Sequence, residues 1–262
     1  MNSSLSTSAS GMVAQQQMIE VIANNLANVN TTAYKRSRAS FQDVLYETVT
    51  GSRAVQNPNG ESVGPTQIGR GVRLASVLRI HGQGVLESTE RPLDLAIEGE
   101  GFFQVLRPDG EIGYTRDGSL TLSDSGTIMT SGGYPIQPAI AVPQEANEIT
   151  ISPAGVVTAT GQGNATPVEI GRIELARFLN PSGLLSLGEN QYAETPASGQ
   201  PITGLPQEEG FGRLDQGSLE GSNVEIVQEM TDMIAAQRAY EINARAIQAG
   251  DEMMKAANDI IR

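Results

Sequence analysis

The chain has 262 residues and no cysteine, which excludes disulfide staples, thiolate nucleophiles and cysteine-based zinc sites. A formal net charge of −13 argues against a role in neutralising nucleic-acid phosphates, and the acidic residues are spread out rather than held in a tail. Hydrophobic residues make up 39% but aromatics only 4%, so any core must be filled mainly by aliphatic side chains, and the 29 glycines and 13 prolines, richest in the middle, predict many turns there.

Met1 to Thr7 has neither a basic segment nor an apolar stretch, so a general secretory signal is not expected. Residues 4–28 read as the first helix. Leu5, Met12, Ile19 and Leu26 recur every seventh residue, which places them in one column of a helix. Ala9, Gln16 and Ala23 complete alternating steps of four and three, and Val13, Ile22 and Val29 widen the stripe. Asn24, Asn25, Asn28 and Asn30 are poor helix formers and predict the end of the helix.

Residues 31–70 read as a connector, with the turn Asn57-Pro58-Asn59-Gly60 inside it. An ordered loop of that length is uncommon and points to a functional or flexible segment. From residue 71 to about 215 the pattern is β. Val72, Leu74, Ser76, Leu78 and Ile80 alternate, and Asp109-Gly110, Asp117-Gly118 and Asp124-Ser125-Gly126 mark turns at the spacing of a meander. Further turns are expected at Pro153-Ala154-Gly155, Gly161-Gln162-Gly163 and Asn180-Pro181-Ser182-Gly183.

The second helix is expected over residues 222–261, opened by a capping box of Ser222 and Glu225. Its first column is wholly apolar: Ile226, Met233, Tyr240, Ile247, Met254 and Ile261. Its second column is Met230, Gln237, Ala244, Asp251 and Asn258, apolar early and polar late. No run of eighteen apolar residues occurs, so no membrane-spanning helix is expected.

The chemical motifs present fail in context. Gly60-Glu61-Ser62-Val63-Gly64 has the nucleophile-elbow pattern, but Pro65 follows it, no acid lies between Ser62 and His81, and His81 is the lone histidine. Gly99-Glu100-Gly101 lacks dinucleotide spacing, and the Asp-Gly turns lack the alternating oxygen ligands of a calcium loop. No catalytic residue, cofactor or metal is therefore expected.

One resemblance covers nearly the whole chain. Ile22-Ala23-Asn24-Asn25-Leu26-Ala27-Asn28-Val29-Asn30-Thr31-Thr32 resembles the N-terminal signature of the bacterial flagellar rod and hook proteins. So do Arg91-Pro92-Leu93-Asp94-Leu95-Ala96-Ile97-Glu98-Gly99-Glu100-Gly101-Phe102-Phe103, then Leu219-Glu220-Gly221-Ser222-Asn223-Val224, and Gln237-Arg238-Ala239-Tyr240-Glu241. Phe41-Gln42-Asp43-Val44-Leu45-Tyr46, Gln67-Ile68-Gly69 and Ile80-His81 are similar to the distal-rod branch of that family. One departure stands out: Ala33-Tyr34 follows the threonine pair where the family carries Gly-Phe, and alanine lacks glycine's freedom at positive φ.

The resemblance implies a mainly β fold with α: a central β domain of meander or complex-sheet type, flanked by terminal helices that pair as a coiled coil. It implies an inner helical layer from residues 1–30 and 221–262, an extended connector over 31–70 that packs between subunits, and a β domain over 71–220. It also implies a distal-rod subunit of the flagellar basal body that polymerises with itself into a stiff torque-carrying tube across the periplasm. Its partners would be proximal rod proteins, the hook protein, surrounding ring proteins and the rod cap, with export through the flagellar type III apparatus. A proximal rod or hook subunit and, from another class, a secreted β-domain binding module or adhesin are the alternatives.

Narrow seams far apart in sequence suit many copies in a helical array, where heterologous contacts do not close. The seams Leu5, Met12, Ile19, Leu26, Ile226, Met233, Tyr240, Ile247, Met254 and Ile261 are the expected assembly interface. On this reading one chain cannot satisfy both seams, its ends are disordered until assembly, and Gly11 and Gly250 allow close approach.

Overall fold

A computed structural model describes residues 2–50, 53–54, 62–63, 66–161 and 167–260. The chain divides into two compact units, one of Met1–Ala27, Ser37–Leu78 and Glu225–Arg262, the other of Asn28–Arg36 and Arg79–Val224. The fold is mainly β, with one helix near each end.

In the first unit, α1 (Asn2–Ala27) pairs with α2 (Ile226–Ile260). The pair is antiparallel. A Cβ on Gly250 would meet Leu5, one on Gly11 would meet Asn243, and Asn25 bonds Glu229, so positions rise along one helix as they fall along the other. The terminal helices therefore pair within one chain, as the resemblance implies. Burial at this pairing supplies most of the stability that marginal isolated helices lack.

Within residues 37–79 the described residues form three successive antiparallel strand pairs. The outgoing strands are β1 (Ser37–Asp43), β2 (Tyr46–Thr50) and β3 (Arg53–Ala54). The returning strands are β4 (Ser62–Val63), β5 (Thr66–Gly69) and β6 (Val72–Arg79). β1 pairs with β6, β2 with β5 and β3 with β4. The expected turn at Asn57–Gly60 lies outside the described residues. Ser, Arg, Gln, Glu and Thr on a two-stranded ribbon have no core face to impose alternation, so these strands carry no local signal in the sequence. β6 keeps the expected alternation through Ser76.

Helix α1 anchors these strands. Ser10 Oγ donates to Thr7 O at 2.8 Å and accepts from Val72 N at 3.3 Å. Gly71 passes so close that a Cβ there would lie 2.1 Å from Ser10 Oγ, and its φ of +113° suits glycine alone.

The second unit holds the rest of the sheet structure. It runs through β7 (Leu86–Ser88), β8 (Leu95–Glu98), β9 (Phe102–Leu106), β10 (Ile112–Thr115), β11 (Leu120–Leu122), β12 (Ile128–Thr130) and β13 (Ile136–Gln137). It continues through β14 (Ala146–Ile151), β15 (Val156–Gly161), β16 (Val168–Arg172), β17 (Leu175–Arg177), β18 (Leu185–Gly188) and β19 (Gln191–Ala193). It ends with β20 (Ile202–Gly204), β21 (Arg213–Gln216) and β22 (Ser218–Glu220). The central sheet has the order β18-β19-β10-β9-β17-β20, with β13 also on β9. The pairs β11–β12, β8–β21 and β7–β22 and the triplet β14-β15-β16 surround it.

Period-two alternation in β9 divides the packing. Phe103 and Val105 enter an otherwise aliphatic core with Leu95, Ile97, Leu120 and Leu175. Phe102 faces the other way, into a cluster with Tyr114, Phe178 and Tyr192. Aromatic rings meet there edge to face, with Tyr114 and Phe178 centroids 4.8 Å apart.

The turns at Gly110, Gly126 and Gly155 close hairpins as expected, each glycine at positive φ. Asp117-Gly118 does not. Asp117 Oδ1 accepts from Ser119 N and Ser119 Oγ, turning the chain into a different sheet, and a Cβ on Gly118 would lie 1.7 Å from Leu95 O. Asn180–Gly183 contains a short 3₁₀ turn, and Gln162-Gly163 lies outside the described residues. The capping box is also corrected. α2 begins at Ile226, and Ser222 Oγ instead accepts from Val224 N. Asn223 draws this stretch into the β unit, accepting from Arg36 N at 2.7 Å and donating to Ile80 O and Gly82 O.

Candidate assembly interface

The expected seam columns are placed unevenly. Leu5, Met12, Ile19 and Leu26 on α1 are all half-buried, as are Met233, Ile247 and Met254 on α2. Ile226 and Tyr240 are 47% and 40% exposed, and Ile261 lies outside the described residues. The accompanying columns are not the expected ones. On α1, Ala9, Gln16 and Ala23 are exposed, and Ser8, Gln15 and Ile22 lie inward. On α2, Met230, Gln237 and Asp251 are exposed, while Glu229, Ala236, Asn243 and Gly250 lie inward, Asn258 having no described side chain.

Gly11, Ala14, Ala236 and Gly250 on the inward rows allow the close approach of the two helices. Apolar side chains are left over on the outside: Val227 is 79% exposed, Ile242 67%, Met253 62% and Val13 55%. The segment 37–79 is similar, with Leu45 84% exposed and Tyr46, Ile68 and Val77 about half exposed.

At the open end of the helix pair sits a buried polar lock. Asn25 and Glu229 are 1% and 0% exposed. Asn25 Nδ2 donates to Glu229 Oε2 at 3.1 Å and to Ser37 O at 2.9 Å, and Asn25 Oδ1 accepts from Ser37 N at 2.9 Å. One asparagine thus fixes the register of α1 on α2 and ties the first residue of β1 to both. The asparagines that predicted a fraying helix end include the residue that holds it.

The second unit contains a buried charged trio. Glu220 accepts from Lys35 Nζ at 2.5 Å, from Arg116 Nε at 2.9 Å and from Gly84 N at 2.9 Å. Arg116 Nη1 also donates to Gly99 O and Gly101 O. Burial acts to raise the Glu220 carboxyl, but Arg116 and then Lys35 outweigh it and hold the group below the usual carboxylate range. Burial pulls the Lys35 ammonium below its usual value, against Glu220. His81 packs edge-on against Phe102 and Tyr192, and burial beside Lys35, Arg116 and Arg79 lowers it to about 4 despite Glu220. It is neutral at pH 7. The imidazole packs against those two rings.

Ala33 resolves the departure from Gly-Phe. It takes φ +56°, the left-handed conformation a glycine would adopt there, and its N–H donates to Glu220 O at 2.7 Å. Tyr34 is buried, with the Arg79 guanidinium 5.5 Å from its ring centroid. Holding an alanine in this conformation costs about 1 kcal/mol.

Neither the trio nor the lock was read from spacing, since Lys35, Arg116 and Glu220 are distant in sequence. The available signal was that Asn25 and Glu220 stand inside the quoted motifs, and that lysine occurs only at Lys35 and Lys255.

Three family descriptions match successive parts of the chain: flagella basal body rod protein over residues 5–35, flagellar hook protein FlgE/F/G D1 domain over 96–159, and flagellar basal body rod FlgEFG protein C-terminal over 215–260. The flagellar basal-body rod protein FlgG of Borreliella burgdorferi is 48% identical over 98% of this chain and 97% of its own length. The protein of the same name from Caulobacter vibrioides is 47% identical over 98% of each chain, and that from Bacillus subtilis is 36% identical over 96% of each. With near end-to-end similarity of this order, and with family matches at the start, middle and end of the sequence, the chain belongs to the flagellar basal-body rod protein family.

Proposed function

We propose that this chain is a structural, non-enzymatic subunit of the distal rod, polymerising into a rigid helical tube that transmits torque to the hook. The observation that carries the reading is the outward apolar row of α2, where Val227, Met230, Ile234 and Ile242 are each at least half exposed. Burying such a side chain against a neighbouring copy contributes roughly 1.5–3 kcal/mol. Repeated heterologous contacts of this kind grow filaments rather than closed oligomers. The seam positions Tyr240 and Ile226, left open beside that row, belong to the same contact, and the half-buried positions Leu5, Met12, Ile19, Leu26, Met233, Ile247 and Met254 supply its cohesion.

The relatives' names support a location in the flagellar basal body. On this reading the rod crosses the periplasm and meets proximal rod proteins, the hook protein, ring proteins and the rod cap. The chain reaches it through the flagellar type III apparatus. The exposed apolar side chains of residues 37–79 suit a segment that packs between subunits and stiffens the tube.

Electron microscopy of the purified chain tests the reading. Wild type is expected to form straight tubes at high concentration. Ile242→Asp, which changes an exposed side chain and so leaves the subunit folded, is expected to form none. Full-length tubes from that variant would remove α2's outward face from the interface.

A further inference from the structure

The second unit holds a cavity of about 260 Å³ lined by residues with no part in the helix contacts. Lys35 and Arg116 line its base, their side chains 1% and 6% exposed. Phe102, Phe178 and Pro181 form apolar walls. Arg177 and Glu100 line the rim, 36% and 75% exposed and 3.8 Å apart.

Donors remain unspent at the base. Lys35 Nζ donates to Gly82 O and Glu220 Oε1, which uses two of its three N–H bonds. Arg116 uses Nε and Nη1, while Nη2 has no hydrogen bond among the described residues and is not walled off. Beside them the buried Nδ1 of His81 also lacks a partner among the described residues. Two cations stand against the one carboxylate of Glu220, so the base carries a net positive charge inside a chain of net charge −13. A buried excess charge is costly unless something pairs with it.

We propose that this cavity binds one carboxylate carried on a small apolar body, with Arg116 and Lys35 taking the oxygens and Phe102, Phe178 and Pro181 holding the body. A guanidinium fork matches a planar carboxylate. Inorganic phosphate fits poorly, because the apolar walls leave its outer oxygens without donors. Two sources share the chemistry: an acidic side chain of a neighbouring copy, and a free small-molecule acid. The binding itself does not rest on the rod reading; only the choice between these sources does.

The test is a titration of the full-length chain with sodium benzoate, at fixed ionic strength and pH 7, following the His81 ring and the Arg116 Nε–H by NMR. Saturable shifts in about the millimolar range are expected with benzoate and none with inorganic phosphate. Arg177→Glu, a rim change that leaves the buried trio intact, is expected to weaken benzoate by about tenfold. Absence of saturation with benzoate, or saturation indifferent to Arg177→Glu, overturns the site. Polymerisation with and without benzoate then separates the sources. Inhibition assigns the pocket to a neighbour's acid, and unchanged growth assigns it to a free one.

Discussion

Asn25 Nδ2 lies 3.1 Å from Glu229 Oε2, joining two residues 204 positions apart where the terminal helices meet. Replacing Asn25 by Leu takes one amide away from a fully buried carboxylate and cuts both bonds to Ser37. Loss of a hydrogen bond to a buried charged group predicts about 2–4 kcal/mol of destabilisation in urea unfolding. Restoring polarity with Gln at Asn25 is expected to recover little, because the longer side chain cannot reach both Ser37 atoms. Unchanged unfolding midpoints in Asn25→Leu would show that the helix register is set by packing alone.

The Glu220 trio predicts a larger effect. Glu220→Gln leaves Lys35 and Arg116 buried without their counter-charge, and breaking one partner of a buried ion cluster costs about 3–5 kcal/mol. Thermal unfolding of the β unit, followed by near-ultraviolet circular dichroism of its buried tyrosines, is the measurement. A compensating Lys35→Met in the same chain is expected to restore part of the loss.

His81 makes stability pH-dependent. Its ordinary value of 6.5 applies to the unfolded chain and falls to about 4 in the folded one. The unfolded state therefore binds the proton first, and stability is full above pH 6.5 and lost as the pH falls toward 4. Between pH 7 and pH 5 the loss is about 2 kcal/mol. His81→Phe, which preserves edge contacts to Phe102 and Tyr192, is expected to flatten that part of the profile. An equal slope in the variant would assign it to other groups.

Ala33 occupies a left-handed site with 1% exposure. A β-branched side chain has no room and no allowed rotamer there, so Ala33→Val is expected to cost more than about 2 kcal/mol. Equilibrium unfolding that moves by less would mean the backbone relaxes out of this conformation.

The segment 37–79 bears on stiffness. Deleting residues 46–63 removes β2, β3 and β4 but leaves β1 and β6 to pair. On the distal-rod reading the shortened chain still polymerises, and its tubes are curved or flexible under electron microscopy. Straight tubes of the deletion chain would locate rigidity in the helices instead.

The amino-acid sequence by itself determined the elements whose signals are local: both helices from their heptad columns, β6 from alternation through Ser76, and the hairpins at Gly110, Gly126 and Gly155 from turn chemistry. Its quoted motifs also determined the family, since they recur in order from end to end. Only the tertiary structure decided which rows of the helices face inward, because the side chains at Gly11, Ala14, Ala236 and Gly250 matter by their size against a partner and not by their period. It alone decided that the described strands between residues 37 and 79 pair with one another, that Asp117-Gly118 crosses between sheets, and that α2 starts at Ile226. The Lys35–Glu220–Arg116 cluster was invisible for the same reason. Charge pairing depends on distance in space, and no spacing along a chain encodes a contact between residues 185 positions apart.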